Sequence, residues 1–142
     1  MGHSMGGLTA LLLAHRYTDR VLSFVDIKRN LAPEDCFLSR QIFQFPADDP
    51  EAFMDAFIVR TANGGVSMVN LSDEEDLMGM FLGLPCRKMF MFGEENRGLS
   101  YLPRLEKEGI ELAMIAESGH FPMYSNPVEM YRRIAGFLEG RA

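Results

Sequence analysis

Tryptophan is absent from this 142-residue chain, cysteine occurs twice and histidine three times. Cys36 and Cys86 stand too far apart for a CxxC pair, and no metal-ligand spacing of His, Cys, Asp or Glu is found. Two reduced, buried thiols are the expectation, with no metal and no other cofactor, since a phosphate-cradling glycine loop is missing too. Positive charge is scarce. Fourteen Lys and Arg against 20 Asp and Glu leave a net charge of −6, which argues against nucleic acid and anionic membrane as partners. No apolar run approaches the roughly 18–20 residues of a membrane span. No basic start followed by an apolar stretch marks a signal peptide, so a cytoplasmic location is expected. The chain carries no internal repeat and no low-complexity segment.

Soft, bulky apolar residues are what the chain has in quantity. Eleven Met and 11 Phe contribute to a hydrophobic share of 47%. Such residues pack a core, and they also line apolar substrate pockets.

Periodicity divides the chain into strands and helices. Leu8, Leu11, Leu12 and His15 recur at helical spacing over 5–17, with Ala10 and Ala14 small enough for close packing. Residues 21–27 form a short, mostly apolar run that reads as a buried parallel strand carrying Asp26 near its end. Helices are expected from Pro33 to about Phe43, from Asp49-Pro50-Glu51 to Gly64, and after the capping box Ser72-Asp73-Glu74-Glu75, with Pro85 as a stop. Met89-Phe90-Met91-Phe92-Gly93 and Ile110 to Ile115 read as two further strands, separated by a helix over 100–108. Asn126-Pro127 opens a last helix, with Met130, Tyr131, Ile134, Phe137 and Leu138 expected inward. Strands alternating with helices imply a parallel sheet with right-handed crossovers. A core of 1–29 and 86–142 is expected, with 30–85 as a helical insertion.

The chain opens Met1-Gly2-His3-Ser4-Met5-Gly6-Gly7, a G-x-S-x-G motif running straight into a helical pattern. That arrangement sets a nucleophilic serine on a tight strand-to-helix turn, where glycines at 2 and 6 are expected to avoid Cβ clashes. A serine hydroxyl needs a base to take its proton. Of the three histidines, His120 in Ser118-Gly119-His120-Phe121 follows the last expected strand and is the candidate base. His3 is expected to shape the turn, and His15 to be structural.

With these motifs the chain resembles the C-terminal half of an α/β-hydrolase fold protein, over nearly all its length. The resemblance implies a partial α/β-hydrolase fold: three parallel strands, flanking helices and an inserted helical cap. It also implies the catalytic order Ser4, acid, His120, with the Met5 backbone N–H in the oxyanion hole. Asn96 stands where the family usually has its acid. The alternative family position, after the earlier strand, gives Asp26, favoured because a carboxylate at the end of an otherwise apolar strand is costly unless paired. Glu95 is the second choice and Glu94 the third. The second oxyanion donor would come from a loop after a strand this chain does not contain, and losing one donor typically costs about 10²–10³ in rate. The chain is therefore expected to be a fragment whose strand at 21–27 has an exposed edge open to self-association. The expected activity of the full-length form is hydrolysis of a carboxylic ester or related acyl bond in a small apolar substrate. The alternatives are a non-catalytic binding protein or an inactive half-domain.

Overall fold

The computed structural model describes residues 1–28, 31–32 and 76–140. The chain divides into two compact units, Met1–Arg29 with Gly79–Ala142, and Asn30–Met78. The helices expected at 33–43 and 50–63, the capping box at 72–75 and Cys36 lie outside the described residues.

The apolar runs of the first unit line up as one parallel sheet. Strands β1 (Gly2–His3), β2 (Ser23–Ile27), β3 (Arg87–Gly93) and β4 (Glu111–Ile115) lie in the order β1-β2-β3-β4. The helices are α1 (Ser4–Arg16), α2 (Leu77–Gly83), α3 (Leu102–Lys107), α4 (Pro122–Ser125) and α5 (Pro127–Leu138). The sheet has four strands where three were expected. The extra one, β1, is two residues long and pairs Gly2 with Asp26 and His3 with Ile27, so the end of β2 has a neighbour. Two residues show no periodicity, which is why the sequence pattern does not reveal this strand.

Strand alternation gives the sheet two apolar faces. On one, Val25, Ile27, Met89, Met91, Ala113 and Ile115 pack with Met130, Ile134 and Phe137 of α5. The other carries an aromatic cluster: Phe90 stands edge-on to Phe81 of α2 and to Tyr101, with ring centroids 6.5 and 5.7 Å apart, and Phe24 meets Phe81 at 6.0 Å. Asp26 is two residues from Phe24, so the pleat puts it on this aromatic face, fully buried.

Helix ends follow their local chemistry. Asn126 caps α5 by accepting from the Glu129 N–H at 3.4 Å, with Pro127 next in line. Gly109 and Ile110 close α3 by donating to Glu106 and Leu105, a Schellman ending. Lys88 Nζ donates to the carbonyls of Leu82 and Leu84, at 2.8 and 2.6 Å, binding the end of α2 to β3.

Several inward assignments are corrected. Tyr131 and Leu138 on α5, expected inward, face solvent, and on α1 the spacing that links Leu8, Leu11, Leu12 and His15 overstates the buried stripe, since Leu12 and His15 are exposed. Each helix buries a stripe narrower than its apolar residues would fill: Gly7, Leu8, Leu11 and Ala14 in α1, and Met130, Ile134 and Phe137 in α5. Cys86 is half-exposed, because it precedes β3 where the chain enters the sheet.

Phe90 is fully buried at the centre of the aromatic face. Phe90→Ala is expected to lower unfolding stability by about 3–5 kcal/mol in a urea titration. A loss below about 1 kcal/mol would show that the aromatic cluster does not hold the sheet.

Candidate active site

All four strands run the same way, so their C-terminal ends share one edge, where open α/β sheets bind ligands. Ser4 leaves β1 at this edge and opens α1 with φ at +50°. A non-glycine residue in that region is strained by about 1–3 kcal/mol and stays there only where its surroundings enforce it. The enforcement is visible on both sides: Gly2 and His3 are held in the sheet, and α1 begins at once. A Cβ at Gly2 would lie 2.6 Å from the Gly7 Cα, so the turn needs glycine there. Gly6 is different from expectation, since a Cβ there would meet open space. The first N–H groups of α1, Met5 among them, have no carbonyl one turn earlier and carry the positive end of the helix dipole. No acidic residue in the first turn offsets it.

The histidine loop reaches this turn from the far side of the sheet. Residues 116–121 leave β4, pass over the end of β3 and arrive beside β1. The passage depends on Gly93, whose Cβ would collide with the backbone carbonyl oxygens of Ser118 and Gly119. Two hydrogen bonds fix the crossing: the Glu95 N–H donates to the Ser118 carbonyl at 3.1 Å, and the Glu117 N–H to Glu94 Oε2 at 3.0 Å. Glu117 itself has φ at +54°, which makes the bend. The Ser125 hydroxyl donates to the buried Ser118 hydroxyl at 2.7 Å, and Asn126 Nδ2 to the Ala116 carbonyl at 3.2 Å. The loop delivers His120 to His3. His3 Nε2 lies 2.7 Å from the His120 carbonyl oxygen, and the two rings meet edge-on with centroids 4.9 Å apart. Phe121 closes the group, 4.7 Å from His120 and 5.3 Å from His3.

The candidate acids differ in setting. Asp26 is completely buried at the end of β2, in register with Gly2 on one side and Phe90 on the other. Glu95 lies in the turn after β3, exposed overall, with its carboxylate packed against Gly119, next to His120. Glu94 is engaged by the Glu117 N–H and by Arg97 at 4.0 Å, a structural role. Asn96 ends the same short 3-10 turn, Glu94–Asn96. His15 is exposed on α1, whereas His3, expected only to shape the turn, binds the loop of the other candidate residue. Two features escaped sequence reasoning: the bond between His3 and His120, and buried Lys28, which follows β2 at a φ of +40°. The scarcity of histidine was the only signal for the first.

The parallel sheet, its flanking helices and the strand-to-helix turn at Ser4 match part of an α/β-hydrolase fold. Solved structures of that fold are similar over almost the whole chain. A thermophilic esterase from Thermogutta terrifontis superposes with a TM-score of 0.64 at 16% identity, covering 99% of this chain and 64% of its own. A carboxylesterase from Nitrososphaera gargenis gives 0.64 at 18% identity, covering 97% of this chain and 63% of its own. A predicted CIB-like hydrolase from Thermoplasma acidophilum gives 0.56 at 16% identity, covering 99% of this chain and 49% of its own. The chain thus spans about half to two thirds of the length of these structures. No protein-family model matches the sequence, and no curated protein matches it.

The two glycine environments predict opposite responses. Gly93→Ala is expected to lower stability by about 1–3 kcal/mol, the range for forcing atoms into filled space. Gly6→Ala, in an open helical position, is expected to raise it by about 0.5–1 kcal/mol. Thermal denaturation of both variants reads the pair, and equal shifts would show that the loop does not bear on Gly93.

Proposed function

We propose that this protein is a serine hydrolase acting on a carboxylic ester or related acyl bond of a small apolar substrate. The observation that carries the reading is Ser4 in its left-handed turn at the head of α1, on the sheet edge that the His120 loop reaches. Ser4 Oγ attacks the acyl carbon while His120 takes its proton. The developing oxyanion is met by the Met5 N–H and the positive end of α1. His120 then hands the proton to the leaving alkoxide, and an acyl-serine remains. Water attacks it, giving its own proton to His120, and the acid departs as Ser4 recovers its proton.

Asp26 is assigned to orient His120 and stabilise its charged form. The support is its burial at the strand end opposite Gly2. Glu95 is the second assignment, supported by the contact of its carboxylate with Gly119. An apolar acyl group fits the surroundings, since Met5 (62% exposed) follows Ser4, Phe121 (52%) follows His120, and Tyr124 (83%) has its ring 6.2 Å from Phe121. The other reading, a binding protein without turnover, is favoured by Asn96, uncharged in the turn after β3.

Reaction with a fluorophosphonate, followed by intact mass, tests the proposal. One adduct on the wild-type chain, lost in Ser4→Ala, is the expected result, and a wild type that takes no adduct would favour the binding reading. Asp26→Asn is expected to slow labelling by about 10³–10⁴, the scale for a triad acid. A loss of that size in Glu95→Gln instead would transfer the role to Glu95.

A further inference from the structure

His3 and His120 are 117 residues apart, yet a 2.7 Å hydrogen bond joins the ring of one to the backbone of the other. A carbonyl oxygen only accepts, so the proton in this bond sits on His3 Nε2. A neutral His3 is then limited to the Nε2–H tautomer, with Nδ1 as its acceptor. That nitrogen is committed to donation, so His3 cannot take a proton from Ser4 through Nε2.

The remainder of the loop is tied elsewhere. Glu117 and Ser118 bond to the turn after β3, Ala116 and Ser118 bond to the region of α4 and α5, and Phe121 accepts from Tyr124 and Ser125. The peptide that carries His120 is tied to His3, whose next residue in the chain is Ser4. The covalent path from the bond to Ser4 is therefore one residue long, and from the bond to the His120 side chain it is shorter still.

We infer that His3 is a positioning residue: its Nε2–H donates to the His120 carbonyl and sets the separation between the serine of the turn and the histidine of the loop. The catalytic consequence rests on the proposed roles of Ser4 and His120, while the tether is independent of them. It makes the residue before the serine part of the distance-setting apparatus, through a contact to the His120 backbone rather than to its ring.

The experiment is done on the 142-residue chain, labelled with ¹⁵N, as wild type, His3→Phe and His3→Gln. Phenylalanine keeps a ring without a donor, and glutamine supplies an N–H at a similar reach. In long-range ¹H–¹⁵N spectra of the wild type, His3 is expected as the Nε2–H tautomer. Amide exchange of Gly119 to Phe121 is expected to rise about tenfold in His3→Phe and to return to near wild type in His3→Gln, with α5 unchanged throughout. Fluorophosphonate labelling of the same three proteins is expected to lose its maximal rate in His3→Phe, with the half-saturating concentration unchanged, and to recover in His3→Gln. An Nδ1–H tautomer, or unchanged exchange in His3→Phe, overturns the tether. Equal labelling rates in wild type and His3→Phe overturn the positioning role. Looser exchange in His3→Phe, with no labelling of the wild type, upholds the tether and rejects the hydrolase reading instead. If His3→Phe does not fold, the wild-type tautomer and the labelling rate of His3→Gln decide.

Discussion

The crossing of the histidine loop over the end of β3 is the constraint on which the candidate site depends. β4 lies three strands from β1 in the sheet, so a histidine that follows it has to travel back across the sheet edge to meet a serine that follows β1. Gly93 gives the space, the carbonyls of Ser118 and Gly119 fill it, and the N–H groups of Glu95 and Glu117 hold the crossing strand of chain in place. The glycine matters for what passes over it and not for its own φ. The acidic turn after β3, whatever its part in chemistry, has a mechanical part as a bridge pier.

Much of the core was legible because its signals are local. β2 and β3 are runs of Phe, Met, Ile and Val buried along most of their length, β4 is a shorter apolar run that leaves Met114 exposed, and α1, α3 and α5 carry their own start and stop residues. What escaped depended on partners distant in the sequence. β1 exists only because Asp26 and Ile27 lie beside Gly2 and His3. The outward turn of Tyr131 and Leu138 reflects how much of α5 the sheet can cover, and spacing along one helix does not carry that information. For the candidate site, motif and order single out Ser4 and His120, and both lie at the C-terminal edge of the sheet. The service of His3 to the other histidine is a side-chain to backbone bond over 117 residues, which has no sequence pattern.

Asp26 shows the same division at the level of energy. A carboxylate fully removed from water in a strand of Phe, Val and Ile is expensive in any charged form unless something nearby repays it. A sequence can flag such a residue as out of place. Only the register, with Gly2 on one side and Phe90 on the other, shows that it sits two residues from the serine turn, across the sheet's first pairing.

The span between the two histidines also bears on the order in which a ribosome makes the chain. Ser4 is synthesised well before His120, and the loop that carries His120 cannot be seated until β3 and β4 have formed beneath it. A nascent chain therefore displays its serine with no histidine loop beside it for as long as β3 and β4 are still being made. Whatever the serine turn and the loop do together has to wait for the sheet between them.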